Sequence, residues 1–213
     1  MKRLLLSALS VAVLSYAVPS HAAGQAADRV MPAAAPAAAP ASISGVYNFD
    51  PSHTHISWTV EHMGYSHFNG KFANATGTVT LDEAHPENSK LNVTVNTSDI
   101  VTGVPKLDDH LKTEQFFNVI KFPTATFVSD KVEPTGKDTA KITGTLTLLG
   151  VSKPVTLDVK LNKSGEHPMM HKNWVGFDAS TTLKRSDWGL SYGIPMVSDE
   201  VKIEIEAEAG AAS

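Results

Sequence analysis

From residue 45 onward, apolar and polar residues alternate with a period of two. Leu91, Val93 and Val95 are interleaved with Asn92, Thr94 and Asn96, and Ile142, Gly144, Leu146 and Leu148 with Thr143, Thr145 and Thr147. Val155, Leu157, Val159 and Leu161 are interleaved with Thr156, Asp158 and Lys160, and Val201, Ile203 and Ile205 with Lys202, Glu204 and Glu206. Successive side chains of a strand point to opposite faces, so each run carries all its apolar groups on one face. One-sided burial suits an antiparallel sheet, because parallel strands are apolar on both faces. The abundance of Val and Thr agrees with a pleated, half-buried surface. Turn-forming clusters over 83–88, 133–136 and 162–165 separate the runs. The fold class expected is all-β, with eight or nine strands. A sheet of that size stacks as a sandwich or closes as a barrel, and alternation alone does not choose between them. One helix is predicted over 108–118, with Asp108 or Asp109 as its N-cap.

The first 44 residues are of another kind. Met1-Lys2-Arg3 is basic, 4–18 is apolar and uncharged, and Ser20 and Ala22 are small residues at the positions a signal peptidase reads. That order is expected of a secretory signal peptide over 1–22, cleaved after Ala22 and directing the chain to the periplasm. The apolar run is shorter than the roughly 20 residues that cross a bilayer, so no transmembrane anchor is expected after cleavage. Residues 23–44, rich in Ala and Pro, are expected to be an extended linker. The folded domain is expected over 45–209, with a short tail over 210–213. Removing Lys2 and Arg3 from 18 basic side chains leaves 16 against 22 acidic ones. That acidic balance excludes the basic surface that nucleic acid requires and any polybasic membrane patch. The chain has no cysteine, so disulfides, thiolate metal sites and cysteine nucleophiles are excluded and a hydrophobic core must supply the stability.

Four histidines, His53, His55, His62 and His67, lie in one short segment. His53 and His55 would share a face of a strand, an arrangement suited to zinc or copper, but a closed site needs three or four ligands. No metal site is assigned; a metal-binding envelope protein using His53, His55 and His62 is the alternative reading. There is no Gly-x-Ser-x-Gly elbow, phosphate loop or dinucleotide fingerprint. No catalytic residue and no cofactor is therefore assigned, and the chain is expected not to be an enzyme. A hydrolase with an unrecognised site is the remaining alternative. In Lys184-Arg185-Ser186-Asp187-Trp188-Gly189, Arg185 and Asp187 flank a chain reversal beside a large anchor. The segment reads equally as a structural turn or as a polar mouth at which Arg185 meets a ligand head group.

Four segments in order resemble the YceI-like polyisoprenoid-binding proteins. They are Asp50-Pro51-Ser52-His53-Thr54-His55-Ile56-Ser57-Trp58-Thr59-Val60-Glu61-His62; Leu107-Asp108-Asp109-His110-Leu111 followed by Phe116-Phe117-Asn118-Val119 and Phe122-Pro123; Gly144-Thr145-Leu146-Thr147-Leu148-Leu149-Gly150-Val151; and Arg185-Ser186-Asp187-Trp188-Gly189. Thr54 stands where the family often has Ser, which keeps the hydroxyl. The resemblance implies a lipocalin-like, eight-stranded antiparallel β-barrel with one short helix, holding a polyisoprenoid or a quinone-like amphipathic lipid. It implies a tunnel that opens beside the helix and is walled by Leu107, Leu111, Phe116 and Phe117, with His55, Trp58, His62 and Trp188 as further lining and Arg185 at the head group. It also implies an ion pair between Arg185 and Asp108 or Asp109, since an unpaired buried guanidinium is costly.

Overall fold

The structure, a computed structural model, describes residues 42–212; the expected leader and nearly all of the linker lie outside them. Eleven strand segments and one α-helix follow in order. They are β1 (Gly45–Phe49), β2 (His55–His62), β3 (Ser66–Phe72), β4 (Thr76–Leu81), β5 (Lys90–Asn96), β6 (Ile100–Val101), α1 (Pro105–Leu111), β7 (Thr124–Pro134), β8 (Thr139–Leu148), β9 (Val151–Glu166), β10 (Asn173–Lys184) and β11 (Glu200–Ala211). Hydrogen bonding runs β1-β4-β5-β7-β8-β9-β10-β11, and β11 returns to β1, so the sheet closes on itself.

Eleven segments make eight walls, because three walls are interrupted. β11 pairs with β2 through Lys202–Glu206 and with β1 at Ala209 and beyond, so β1 and β2 are halves of one wall. β3 and β4 pair with those halves in turn, and β6 and β5 continue the series. The first interruption has a local cause. Asp50 accepts from the Ser52 N–H at 2.9 Å and pairs with His53 Nδ1 at 2.7 Å, which turns the chain out of the sheet. Thr54 then fills the gap in the ladder: its hydroxyl donates to the Glu208 carbonyl at 3.2 Å and lies 3.3 Å from the Glu208 N–H as its acceptor. Only a hydroxyl can serve both partners, which is the physical content of the Ser-or-Thr choice there.

The helix differs from expectation. It begins at Pro105 rather than Asp108 and ends at Leu111, with Val104 as an N-cap that makes no side-chain bond. Proline at the first helical position has its φ already set and lacks only an N–H that would have no helical partner. Asp108 is therefore not the cap. Its carboxylate accepts from the Thr102 N–H at 2.8 Å and the Thr102 hydroxyl at 2.6 Å, tying the helix to the preceding loop.

The antiparallel walls sort the connections to two ends. The chain at Ile43, the β4–β5 loop and the β7–β8 and β9–β10 turns share one end. The β2–β3 turn, α1 with the segment after it, the β8–β9 turn and the segment 185–199 share the other. One buried cluster, Tyr47, Val79, Val175 and Ala209, lies toward the first end; a second, Phe127, Val155, Leu157 and Trp188, lies toward the helix end.

A chamber inside the barrel

The inward residues of the alternating runs do not meet across the barrel. They enclose a cavity of about 680 Å³. Its wall is built by residues such as Leu91, Val93, Phe127, Leu157, Phe177 and Ile205. An eight-stranded barrel is just wide enough to be filled by side chains or to hold one slender ligand. Small inward residues, among them Ala179 and Ala207, keep this one open. The charged residues of the lining, Asp82, Glu83, Lys90, Lys137 and Asp138, all stand at the end away from α1. Glu83 accepts there from the Ser42 hydroxyl and the Ile43 N–H, which holds the incoming chain at the rim.

At the helix end the chamber lining is hydrophobic. Phe117 reaches the lining and meets Phe72 edge-on at 5.2 Å between ring centres. Thr97, almost wholly buried, donates to the Phe122 carbonyl at 2.8 Å and pins the segment that carries Phe117. The charged rim thus stands at the end opposite α1, and the segment after α1 packs against the helix end through Phe117 and the Phe122 carbonyl.

The residues singled out in the sequence scatter around this chamber, and Phe117 alone among them lines it. Leu111 is buried in the packing under α1, and Leu107, half-buried, is likewise outside the lining. Phe116 turns away to an aromatic group with His110 and Tyr192, at 5.1 and 5.3 Å. Trp188, 4% exposed, backs onto Phe127, Val155 and Leu157, and its indole N–H donates to the Leu146 carbonyl at 3.3 Å. Trp58 sits on the inner face, opposite Gly70 and Ile203, just beyond the lining. His55 falls on the outer face, opposite Glu206, and His62 is exposed at the end of β2. His55 and His62 are seven residues apart along one strand, about 23 Å at ~3.3 Å per residue. His53 pairs with Asp50, and among the described residues no three His, Cys, Asp or Glu side chains converge. The three histidines are therefore not a cluster.

Arg185 provides a second correction. Buried at 8% exposure, it donates through Nε to the Ser198 carbonyl, through Nη1 to those of Leu190 and Tyr192, and through Nη2 to that of Val197, at 2.6–3.0 Å. Its partners are backbone carbonyls, not Asp108 or Asp109, and they engage four of its five N–H donors. Burial lowers its pKa while nearby Asp199 opposes that shift. Asp199 itself is held below the ordinary carboxylate range by the Ser186 hydroxyl and N–H, at 2.7 and 2.9 Å. The segment is a structural staple for the chain from 185 to 199.

A closed antiparallel barrel around an apolar chamber, with the charged groups of its lining confined to one rim, defines the class of lipocalin-like proteins. Residues 47–209 match the YceI-like domain family. Protein YceI of Salmonella arizonae is 39% identical over 169 residues, covering 78% of this chain and 87% of that protein; Protein YceI of Salmonella enteritidis gives the same values. The chain belongs to the YceI family. The crystal structure of the Campylobacter jejuni YceI protein matches with a TM-score of 0.64 at 30% identity, covering 72% of this chain and 90% of that one. Two more distant structures share the fold. BcnA of Burkholderia cenocepacia has a TM-score of 0.68 at 24% identity, covering 75% and 98%. A polyisoprenoid-binding domain from Saccharophagus degradans has a TM-score of 0.61 at 13% identity, covering 78% and 98%.

Proposed function

We propose that the protein is a non-catalytic periplasmic carrier that sequesters an isoprenoid lipid, a polyisoprenoid or an isoprenoid quinone, inside the barrel. The observation that carries this reading is the 680 Å³ chamber with an apolar wall and its charges at one rim. Each Å² of isoprenoid surface removed from water contributes about 25 cal/mol, with no directed bond required. The polyisoprenoid-binding Saccharophagus domain of the same fold supports the choice of ligand class, and the expected leader over 1–22 supports the periplasmic address. The test is native mass spectrometry of the protein purified from periplasm, with solvent extraction of whatever it carries. An isoprenoid at one per chain is expected. Protein that carries no lipid and takes none up from vesicles would end the proposal.

A further inference from the structure

The helix end of the barrel carries an exposed apolar surface. Met63 and Tyr65 on the β2–β3 turn, Ile120 on the segment after α1, and Tyr192, Ile194 and Met196 on the segment 185–199 all stand exposed there. Hydrogen bonds and ring contacts join these segments. The Met63 N–H donates to the Met196 carbonyl at 2.7 Å, and the Tyr192 ring meets His110 of α1 at 5.7 Å and Phe116 at 5.3 Å. The N–H groups of Phe117 and Val119 donate to the carbonyls of Leu111 and Lys112, which holds the segment of Ile120 beside the helix. A contiguous exposed apolar surface marks an interaction site.

These side chains are exposed on a backbone that is held in place. The carbonyls of Leu190, Tyr192, Val197 and Ser198 face the buried Arg185 guanidinium, while Tyr192, Ile194 and Met196 stay outside. The surface is also free of charge: no Asp, Glu, Lys or Arg occurs in 62–69, 100–105, 115–120 or 188–198. Between those stretches Lys106, Lys112 and Lys121 are balanced by Asp108, Asp109 and Glu114. The charges of the chamber lining stand at the other end, where the chain enters at Ile43. The barrel is therefore polarised along its axis.

We infer that the helix end is the face with which the protein docks on a lipid bilayer, its apolar tips entering the headgroup layer. Ile120 is 95% exposed and Tyr65 87%. Groups that project so far suit a fluid phase that closes around them, whereas a second protein would have to supply a pocket for each. Tyr65 and Tyr192 join an apolar ring to a hydroxyl, the combination that settles at the membrane–water boundary. With the neighbouring charges balanced, the attraction is apolar and needs no anionic lipid. Docking in this sense brings the apolar part of the lining, with Phe72 and Phe117, nearest the bilayer and turns the charged rim to water. That orientation suits a lipid carrier, but the docking stands on the surface and does not depend on the carrier reading.

The test is flotation of the full-length mature protein with vesicles of phosphatidylcholine and phosphatidylethanolamine, with and without phosphatidylglycerol. The protein should float equally with both, at low and at high salt. Ile120→Gln and Met196→Gln should each lower the partition coefficient about tenfold, the scale of one buried apolar side chain, and leave the melting temperature in place. A tryptophan introduced by Ile120→Trp should be quenched by brominated lipid. One introduced by Met170→Trp, exposed on the β9–β10 turn at the opposite end, should not. Absence of flotation, flotation that requires phosphatidylglycerol and is lost in salt, or quenching at Met170→Trp overturns the docking face. A dimer in light scattering that either Gln variant splits, with no vesicle binding by any form, also overturns it and assigns the surface to a second copy. Flotation without uptake of isoprenoid keeps the docking face and ends the carrier reading; isoprenoid carried by a protein that never floats does the reverse.

Discussion

Single residues decide how the barrel closes at its helix end. A Cβ at Gly70 would lie 2.4 Å from Cζ2 of the Trp58 ring, so that position admits no side chain without movement. Gly70→Ala is expected to cost about 1–3 kcal/mol, the usual range for overpacking, measured by denaturant melts. Arg185 acts at the same scale through four carbonyls rather than through an acid. Arg185→Ala leaves them unmet in a buried place and should cost about 3 kcal/mol or more. Asp108→Ala removes only the tie to Thr102 and should cost about 1 kcal/mol. Equal losses in the two variants would reinstate the ion pair that the structure replaces. Arg185 was visible in the sequence as a turn residue, but its partners were not, because backbone carbonyls have no residue type to read.

Among the elements, the helix and the segments at the ends set the conditions of stability. Leu111 belongs to the packing under α1 and not to the chamber. Leu111→Trp should therefore cost about 1–3 kcal/mol and leave lipid uptake intact. Loss of uptake without loss of stability would place Leu111 in the tunnel after all. The turn at Ser186 carries a pH dependence of known sign. Asp199 has a folded pKa below its ordinary 3.8, so its stabilisation is complete above that value and is lost as pH falls through the folded pKa. The Asp50–His53 tie has the opposite sign for its imidazole. His53 is raised above 6.5 by the Asp50 carboxylate, so that share is complete below 6.5 and is lost as pH rises through the folded value. Thermal melts across pH should show Asp199→Asn converging with wild type in acid and His53→Gln converging with it in alkali.

At the scale of the whole molecule, the barrel must be both stable and hollow. Closure through β1 and β11 gives the walls two neighbours each, although the short β6 half is paired to β3 alone. The hollow is what a ligand would fill. Ala179→Phe adds bulk into open space instead of a packed core, so it should spare the melting temperature and block uptake of isoprenoid. A variant that melts early and still takes up lipid would show the chamber to be packed in solution. Delipidation should lower the melting temperature, and a ligand added at 100 times its Kd should restore about 2.7 kcal/mol.

The antiparallel, all-β character was legible because a period of two can be satisfied only by strands buried on one face. The inward residues that line the chamber were legible for the same reason: Leu91, Val93, Leu157 and Ile205 are the apolar members of alternating runs. Alternation alone did not reveal closure, since a sandwich and a barrel demand the same alternation; the resemblance to the YceI-like family implied the eight-stranded barrel that the structure shows. Eight walls rather than nine, and a barrel rather than a sandwich, depend on β11 dividing its partners between β1 and β2, a long-range pairing that no local pattern encodes. The roles of the aromatic residues around α1 were equally beyond the sequence: Phe117 reaches the lining against Phe72, while Phe116 turns away to His110 and Tyr192. Alternation determines which side of a strand each residue faces; only the tertiary structure determines which inward residues meet and which leave a space, because that depends on the distance across the barrel.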